Sequence, residues 1–162
     1  MARRTFLLGS AAALSAGGGA WLIAEQSTAN AGTFPVDLTS AEWRARLTPE
    51  EFAVLRDAGT ERAGSSPLDK FWDAGIYTCA GCANPVYRSD EKFDSGTGWP
   101  SFWAPLASEA VGISTDYKLI YPRTEVHCAR CGGHLGHIFD DGPEPTGKRH
   151  CLNGVALDFV AA

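Results

Sequence analysis

The chain has 162 residues, 44% hydrophobic and 20% charged, with 14 Lys+Arg against 19 Asp+Glu and a formal net charge of −5 at pH 7. That length suits one globular domain, and that composition excludes a disordered chain. The acidic balance excludes the basic face that neutralises phosphates, so no nucleic-acid partner is expected.

The first 31 residues read as an export signal. Arg3-Arg4-Thr5-Phe6-Leu7 leads into an Ala/Gly/Leu-rich run from Leu8 to Ala24, and Ala29-Asn30-Ala31 supplies small residues at the spacing a signal peptidase accepts. Paired arginines ahead of Thr-Phe-Leu-Leu point to the twin-arginine route, with cleavage after Ala31 and a periplasmic or other extracytoplasmic destination. The alternative is an uncleaved membrane anchor, because the run is just long enough to span a bilayer. Gly17-Gly18-Gly19 in its middle weakens that alternative. The mature chain is then residues 32–162, a single domain without repeats, and a monomer is expected.

Thr39-x-x-Glu42 and Thr48-Pro49-Glu50-Glu51 are capping boxes, the second with proline at the first helical position. They predict two short helices, about Ser40–Leu47 and Pro49–Ala58, the latter stopped by Gly59. After them come short β-prone runs at Gly75–Cys79, Pro85–Ser89, Lys118–Tyr121, Glu125–Cys128 and Val155–Val160, separated by Gly, Pro, Asn and Asp. The expected fold is mainly β (α+β): two antiparallel sheets in a compact domain behind a small helical N-terminal cap.

Cys79-Ala-Gly-Cys82 and Cys128-Ala-Arg-Cys131 are two C-x-x-C pairs among the five cysteines. Two intervening residues let a tight turn aim both sulfurs at one point, and two such knuckles supply four thiolates, the donor set of a structural Zn²⁺. The competing reading makes either pair a redox dithiol or a disulfide, which an oxidising compartment favours. Folding before twin-arginine export weakens that objection, and duplication favours one metal site. Once the four are counted, Cys151 is left over. A lone cysteine is most often a small buried hydrophobe. Here it sits in Lys148-Arg149-His150-Cys151-Leu152-Asn153, where converging positive charge would raise its thiolate fraction. His134-Leu-Gly-His137 follows the second knuckle. As ligands its imidazoles would overfill a closed zinc site, so they are free to act as general acids. In Gly96-x-Gly98-Trp99-Pro100-Ser101-Phe102, Phe102 reads as core and Trp99 as the wall of an apolar pocket.

These residues resemble the peptide-methionine (R)-S-oxide reductases, the type-B methionine sulfoxide reductases. The resemblance runs from about Leu47 to Val160. It rests on Gly59-Thr-Glu, Ile76-Tyr-Thr-Cys-Ala-Gly-Cys82, Lys92-Phe-Asp-Ser-Gly-Thr-Gly-Trp-Pro-Ser-Phe102, Arg123-Thr-Glu-Val, Cys128-Ala-Arg-Cys131, His134-Leu-Gly-His-Ile-Phe139, Asp141-Gly-Pro143 and Arg149-His-Cys-Leu-Asn153. It implies protein repair under oxidative stress, with Cys151 as the nucleophile that becomes a sulfenic acid. It further implies His134 and His137 as catalytic histidines, Asn153 as a supporting amide, and Trp99 with Phe139 around the substrate's S-methyl group. Arg149, with Asp141, would position the site electrostatically, and Cys79, Cys82, Cys128 and Cys131 would hold one structural zinc per chain. The implied partners are oxidised proteins carrying methionine sulfoxide and a thioredoxin-like, glutaredoxin-like or small-thiol reductant.

Two residues depart from the family pattern. Thr97 stands where many members carry a resolving cysteine, which implies a one-cysteine enzyme regenerated by an external thiol. His150 stands where Tyr or Phe is usual. Two other functions compete with this reading: a zinc-ribbon-like binding module, which would leave Cys151 idle, and a C-x-x-C thiol-disulfide oxidoreductase, which a metal on the four cysteines would exclude.

Overall fold

The structure, a computed structural model, describes residues 34–162. The expected export signal and its cleavage point lie outside the described residues. Among those described, no helix is long and apolar enough to cross a membrane.

Helices α1 (Ser40–Arg46) and α2 (Pro49–Leu55) begin at the two expected capping boxes, with Thr39 and Thr48 as N-caps and the Glu42 and Glu51 side chains bonded back to them. Seven residues are too few for a helix to persist alone in water. Both are held by what they bury: Trp43 from α1, and Phe52, Val54 and Leu55 from α2. Helix α2 ends earlier than the sequence suggests. The left-handed residue at its exit is Ala58 (φ 49) and not Gly59, whose N–H bonds back to the Ala53 carbonyl.

The β part is two antiparallel sheets, as expected. Strands β1 (Gly75–Cys79), β2 (Pro85–Arg88) and β9 (Leu157–Ala161) form a three-stranded sheet in the order β2-β1-β9. Strands β3 (Lys92–Phe93), β4 (Ser101–Phe102), β5 (Val111–Asp116), β6 (Arg123–Cys128), β7 (His134–Phe139) and β8 (Arg149–Leu152) form a six-stranded sheet in the order β3-β4-β8-β7-β6-β5. Four of the five sequence-predicted strands correspond to β1, β2, β6 and β9. The fifth, Lys118–Tyr121, is not a strand. It is the loop joining β5 to β6, and Tyr117, Leu119, Ile120 and Tyr121 are exposed in it. The Asp116 carboxylate caps the backbone N–H of Lys118 at 2.7 Å and starts a turn there. Its β-prone side chains therefore meet no partner strand.

Phe102 is fully buried, as expected, with its ring 4.9 Å from that of Tyr77 on β1 and 4.7 Å from that of Tyr87 on β2. This aromatic contact joins β4 of one sheet to the other sheet. The cysteine knuckles make the second junction, since one closes the β1–β2 turn and the other the β6–β7 turn.

Candidate active site

The two knuckles are built alike. In the first, the Ala83 N–H bonds the Cys79 carbonyl at 2.7 Å with Ala83 left-handed at φ 56. In the second, the Gly132 N–H bonds the Cys128 carbonyl at 2.9 Å with Gly132 at φ 68. A Cβ at 132 would also lie 2.3 Å from the Phe34 ring, which would have to move aside. The four sulfurs converge within 4.8 Å of one another and all four residues are buried. Cys79 and Cys131 approach to 3.7 Å and Cys82 and Cys128 to 3.5 Å, far beyond the ~2.05 Å of a disulfide. The Asn84 amide touches the Cys128 sulfur at 3.5 Å and also bonds the Ala110 carbonyl. Four buried thiols aimed at one point can hold a metal ion, and they leave neither C-x-x-C pair exposed as a redox dithiol.

Cys151 lies apart from this cluster, on β8 within the six-stranded sheet. Register puts it opposite Ser101 of β4 on one side and His137 of β7 on the other, and His137 in turn is opposite Glu125 of β6. Ser101, Cys151, His137 and Glu125 thus form a row across four strands on one face. His134 belongs to that face only because β7 is irregular. Residues three apart on a regular strand point to opposite sides. Between Val126 and His127 the register shifts, so that Val126 opposes Gly136 while His127 opposes His134. Leu135 is the extra residue of this bulge, which turns His134 onto the face of His137. Their ring centroids are 5.2 Å apart. Asn153 secures the distortion, donating to the Leu135 carbonyl from its backbone N–H at 2.8 Å and its side-chain amide at 3.1 Å.

Each histidine is paired with a carboxylate. His134 Nδ1 lies 2.7 Å from Glu125 Oε1, and that bond, opposed by burial, holds the Glu125 carboxyl down at about 2. His137 Nε2 lies 2.8 Å from Asp116 Oδ2, which also accepts from Arg123 at 2.5 Å. The Lys118 backbone N–H, then His137 and Arg123, hold the Asp116 carboxyl well below the usual carboxylate range. Burial pushes His137 below the usual histidine value against the pull of Asp116. Facing ionised acceptors, His134 carries a proton on Nδ1 and His137 on Nε2, an assignment made from their partners. The other nitrogen of His134, Nε2, is buried without a hydrogen-bond partner among the described residues.

The surroundings of the Cys151 thiol correct one expectation. Of the two cations and the imidazole beside it in sequence, only Arg149 acts on it. His150 points to the opposite face, where its Nδ1 shares a 2.9 Å hydrogen bond with the Tyr87 hydroxyl, and burial brings it down to about 4. The Lys148 ammonium pairs with Asp140. Burial pushes the Cys151 thiol above its ordinary value, opposed by the Arg149 charge and by the hydroxyls of Thr97 and Ser101. Burial thus favours the thiol form over the thiolate in the empty site. Thr97 Oγ1 is 4.0 Å from it, so the departure at 97 directly borders the nucleophile. Arg149 is itself oriented by Asp141 through two 2.9 Å hydrogen bonds, and its guanidinium lies 4.4 Å over the Phe139 ring. One role of Phe139 is thus to support Arg149. Trp99 is two residues before Ser101, and its indole N–H bonds the Glu61 carbonyl at 3.2 Å.

Glu125, Asp116, Arg123 and Glu61 received no role from the sequence. Arg123 and Glu125 alternate on a β-prone run beside the knuckle, and that period of two was the available signal. For Glu61 nothing local marks its contacts.

Residues 47–161 match the SelR domain. Curated relatives named peptide methionine sulfoxide reductase MsrB align over most of both chains. That of Methanosarcina mazei is 49% identical over 125 residues, covering 77% of this chain and 89% of the relative. That of Leifsonia xyli subsp. xyli is 48% identical over 132 residues (81% and 95%), and that of Agrobacterium fabrum 48% over 124 residues (76% and 92%). The chain belongs to the SelR-domain family.

If Arg149 is the one cation that favours ionisation of Cys151, Arg149→Met will slow alkylation of that thiol by iodoacetamide several-fold at pH 7. The mass-resolved alkylation rate of Cys151 across pH measures this, and an unchanged profile would show that Arg149 has no such effect.

Proposed function

We infer that the protein is a peptide-methionine (R)-S-oxide reductase of the one-cysteine type. The observation that carries this reading is the row Ser101–Cys151–His137 with His134 turned onto the same face, which sets one cysteine beside two carboxylate-held imidazoles. The Cys151 sulfur attacks the sulfoxide sulfur as its thiol proton is lost, and the sulfoxide oxygen passes to the cysteine with a proton. Methionine leaves and Cys151–SOH remains, so the thiol and the sulfoxide together account for every atom of the sulfenic acid and the thioether. The hard step is the charge that builds on the sulfoxide oxygen: an imidazole of the His134–His137 pair, whose own proton faces a carboxylate, takes up the thiol proton on its other nitrogen and delivers it to that oxygen. Trp99 flanks the S-methyl group, and Arg149 favours the thiolate as it forms.

Regeneration needs thiols from outside. With Thr97 beside Cys151 and the other four cysteines held together, an external thiol condenses with the sulfenic acid, releasing water and leaving a mixed disulfide. A second thiol then restores Cys151 and departs as the oxidised donor. Thioredoxin-like, glutaredoxin-like and small thiols all suit this chemistry. Cys151→Ser is expected to abolish reduction of an R-sulfoxide peptide, and wild-type enzyme given substrate without reductant will carry a dimedone-reactive sulfenic acid on Cys151. Turnover by the serine variant, or an intramolecular disulfide at Cys151, would overturn the assignment.

The ion of the four-cysteine cluster is zinc in this reading. Tetrahedral Zn–S bonds of about 2.3 Å set sulfurs about 3.8 Å apart, close to the 3.5 and 3.7 Å separations here. Such a site contributes stability on the order of 10 kcal/mol in small domains and takes no part in the chemistry. Metal analysis will find one zinc per chain, and chelation will unfold the domain; full stability in the metal-free protein would refute a structural ion. The first 31 residues direct export by the twin-arginine route, so the mature protein recovered outside the cytoplasm will begin at Gly32 by N-terminal sequencing, and an intact Met1 would instead indicate an anchor.

A further inference from the structure

Glu61 sits outside the catalytic row, yet four hydrogen bonds of this one residue join three parts of the site. Its carboxylate accepts from two consecutive backbone N–H groups, Gly154 at 2.6 Å and Val155 at 3.0 Å, in the turn that follows β8. Its own N–H donates to Asn153 Oδ1 at 3.0 Å. Its carbonyl accepts from the Trp99 indole at 3.2 Å. One further strap, Gly64 N–H to the Gly98 carbonyl at 2.7 Å, ties the same loop to the Trp99 segment. Behind this loop lies a cavity of about 700 Å³, lined by Val54, Leu68, Val155, Leu157 and Phe159 among others. Hydrogen bonds at Glu61 and Gly64 therefore tie residues 59–66 to the site.

We propose that Glu61 is the positioning residue of the substrate pocket, its carboxylate anchoring the loop whose backbone fixes the Trp99 indole and the Asn153 amide. The inference rests on the reductase reading for the meaning of the pocket, though not for the geometry. Two consecutive N–H groups need two acceptor oxygens of one carboxylate. A glutamine offers one oxygen and turns an NH₂ group towards the second N–H. The loop then loses its anchor, and Trp99 loses the fixed carbonyl that sets its ring plane. Asn153 keeps both bonds to Leu135, so the bulge and His134 persist. Glu61 thus acts on substrate binding more than on the chemical step.

Glu61→Gln is expected to raise KM for an R-sulfoxide peptide about tenfold, the scale of one lost hydrogen bond to a charged group, with kcat changed less than about threefold. The diagnostic arm is the Trp99→Phe background, which keeps a ring but lacks the N–H. There Glu61→Gln should raise KM by less than about twofold, because both changes remove the same restraint. An equal KM effect in both backgrounds, or a loss confined to kcat, would overturn the proposal. A second readout is independent of activity. In 5-fluorotryptophan-labelled protein, the ¹⁹F resonance of Trp99, assigned by its loss in Trp99→Phe, shifts or broadens in Glu61→Gln while that of Trp43 stays in place. An unmoved Trp99 resonance refutes the link even if activity falls. If the glutamine variant does not fold, Glu61→Asp, one methylene short of the two N–H groups, is read by the same two measurements. Wild-type protein without R-sulfoxide turnover would end the reductase reading and leave the ¹⁹F result to judge the geometry.

Discussion

The chemistry of this protein depends on the register of β8 between β4 and β7. Side chains alternate along a strand, so a slip of one residue would turn Cys151 into the core and His150 out to the site. Several contacts exclude the slip. A Cβ on Gly136 would lie 2.0 Å from the Cys151 carbonyl, so only glycine lets these two strands close at that point. The Leu152 N–H bonds the Pro100 carbonyl, and Asn153 grips the Leu135 carbonyl from two donors. On the core side, Leu152 is fully buried and His150 is fixed to Tyr87. His150 departs from the family's aromatic residue, but it does so on the core face. There it shares a hydrogen bond with Tyr87 and, held down to about 4 by burial, stays uncharged.

The four-cysteine cluster and the nucleophile divide the labour of the sulfur atoms by position. The cluster lies where the turns of the two sheets meet, with Trp43 and Leu55 close against Gly81 of the first knuckle. The helical cap, the knuckles and both sheets are thereby one mechanical unit. Cys151 sits mid-sheet, where the backbone is rigid and the side chains of neighbouring strands can be aligned with it. A reacting group on a strand is positioned more closely than one on a loop. The bulge at Leu135 supplies the one irregularity the site needs, bringing a second imidazole to a face that regular alternation would deny it.

What was legible in the sequence is what is local. Capping boxes span four residues, and both mark real helix starts. Two C-x-x-C turns and one unpaired cysteine sorted the sulfurs, and the structure gathers four of them while leaving Cys151 apart. Strands β7 and β8 escaped detection because their side chains are those of a site: His134, His137, Arg149 and His150 carry no hydrophobic alternation. The loop at Lys118–Tyr121 misled in the opposite sense, since β-prone residues there serve no sheet. Glu61 stands in a block that carried the resemblance, but its contacts could not be read, its amide partner Asn153 being 92 residues further along the chain. The positive cluster around Cys151 was overread, because strand alternation sends adjacent charges to different places.

An enzyme that reverses oxidative damage works among the oxidants that cause it. Burial disfavours the Cys151 thiolate, and a protonated sulfur reacts poorly with dissolved peroxide. Desolvation thus disfavours in the empty site the thiolate through which a cysteine climbs to its upper oxidation states. Reactivity then arrives with the correct substrate, whose oxygen supplies the destination for the proton, so the catalyst is spent on repair and spared from self-inactivation.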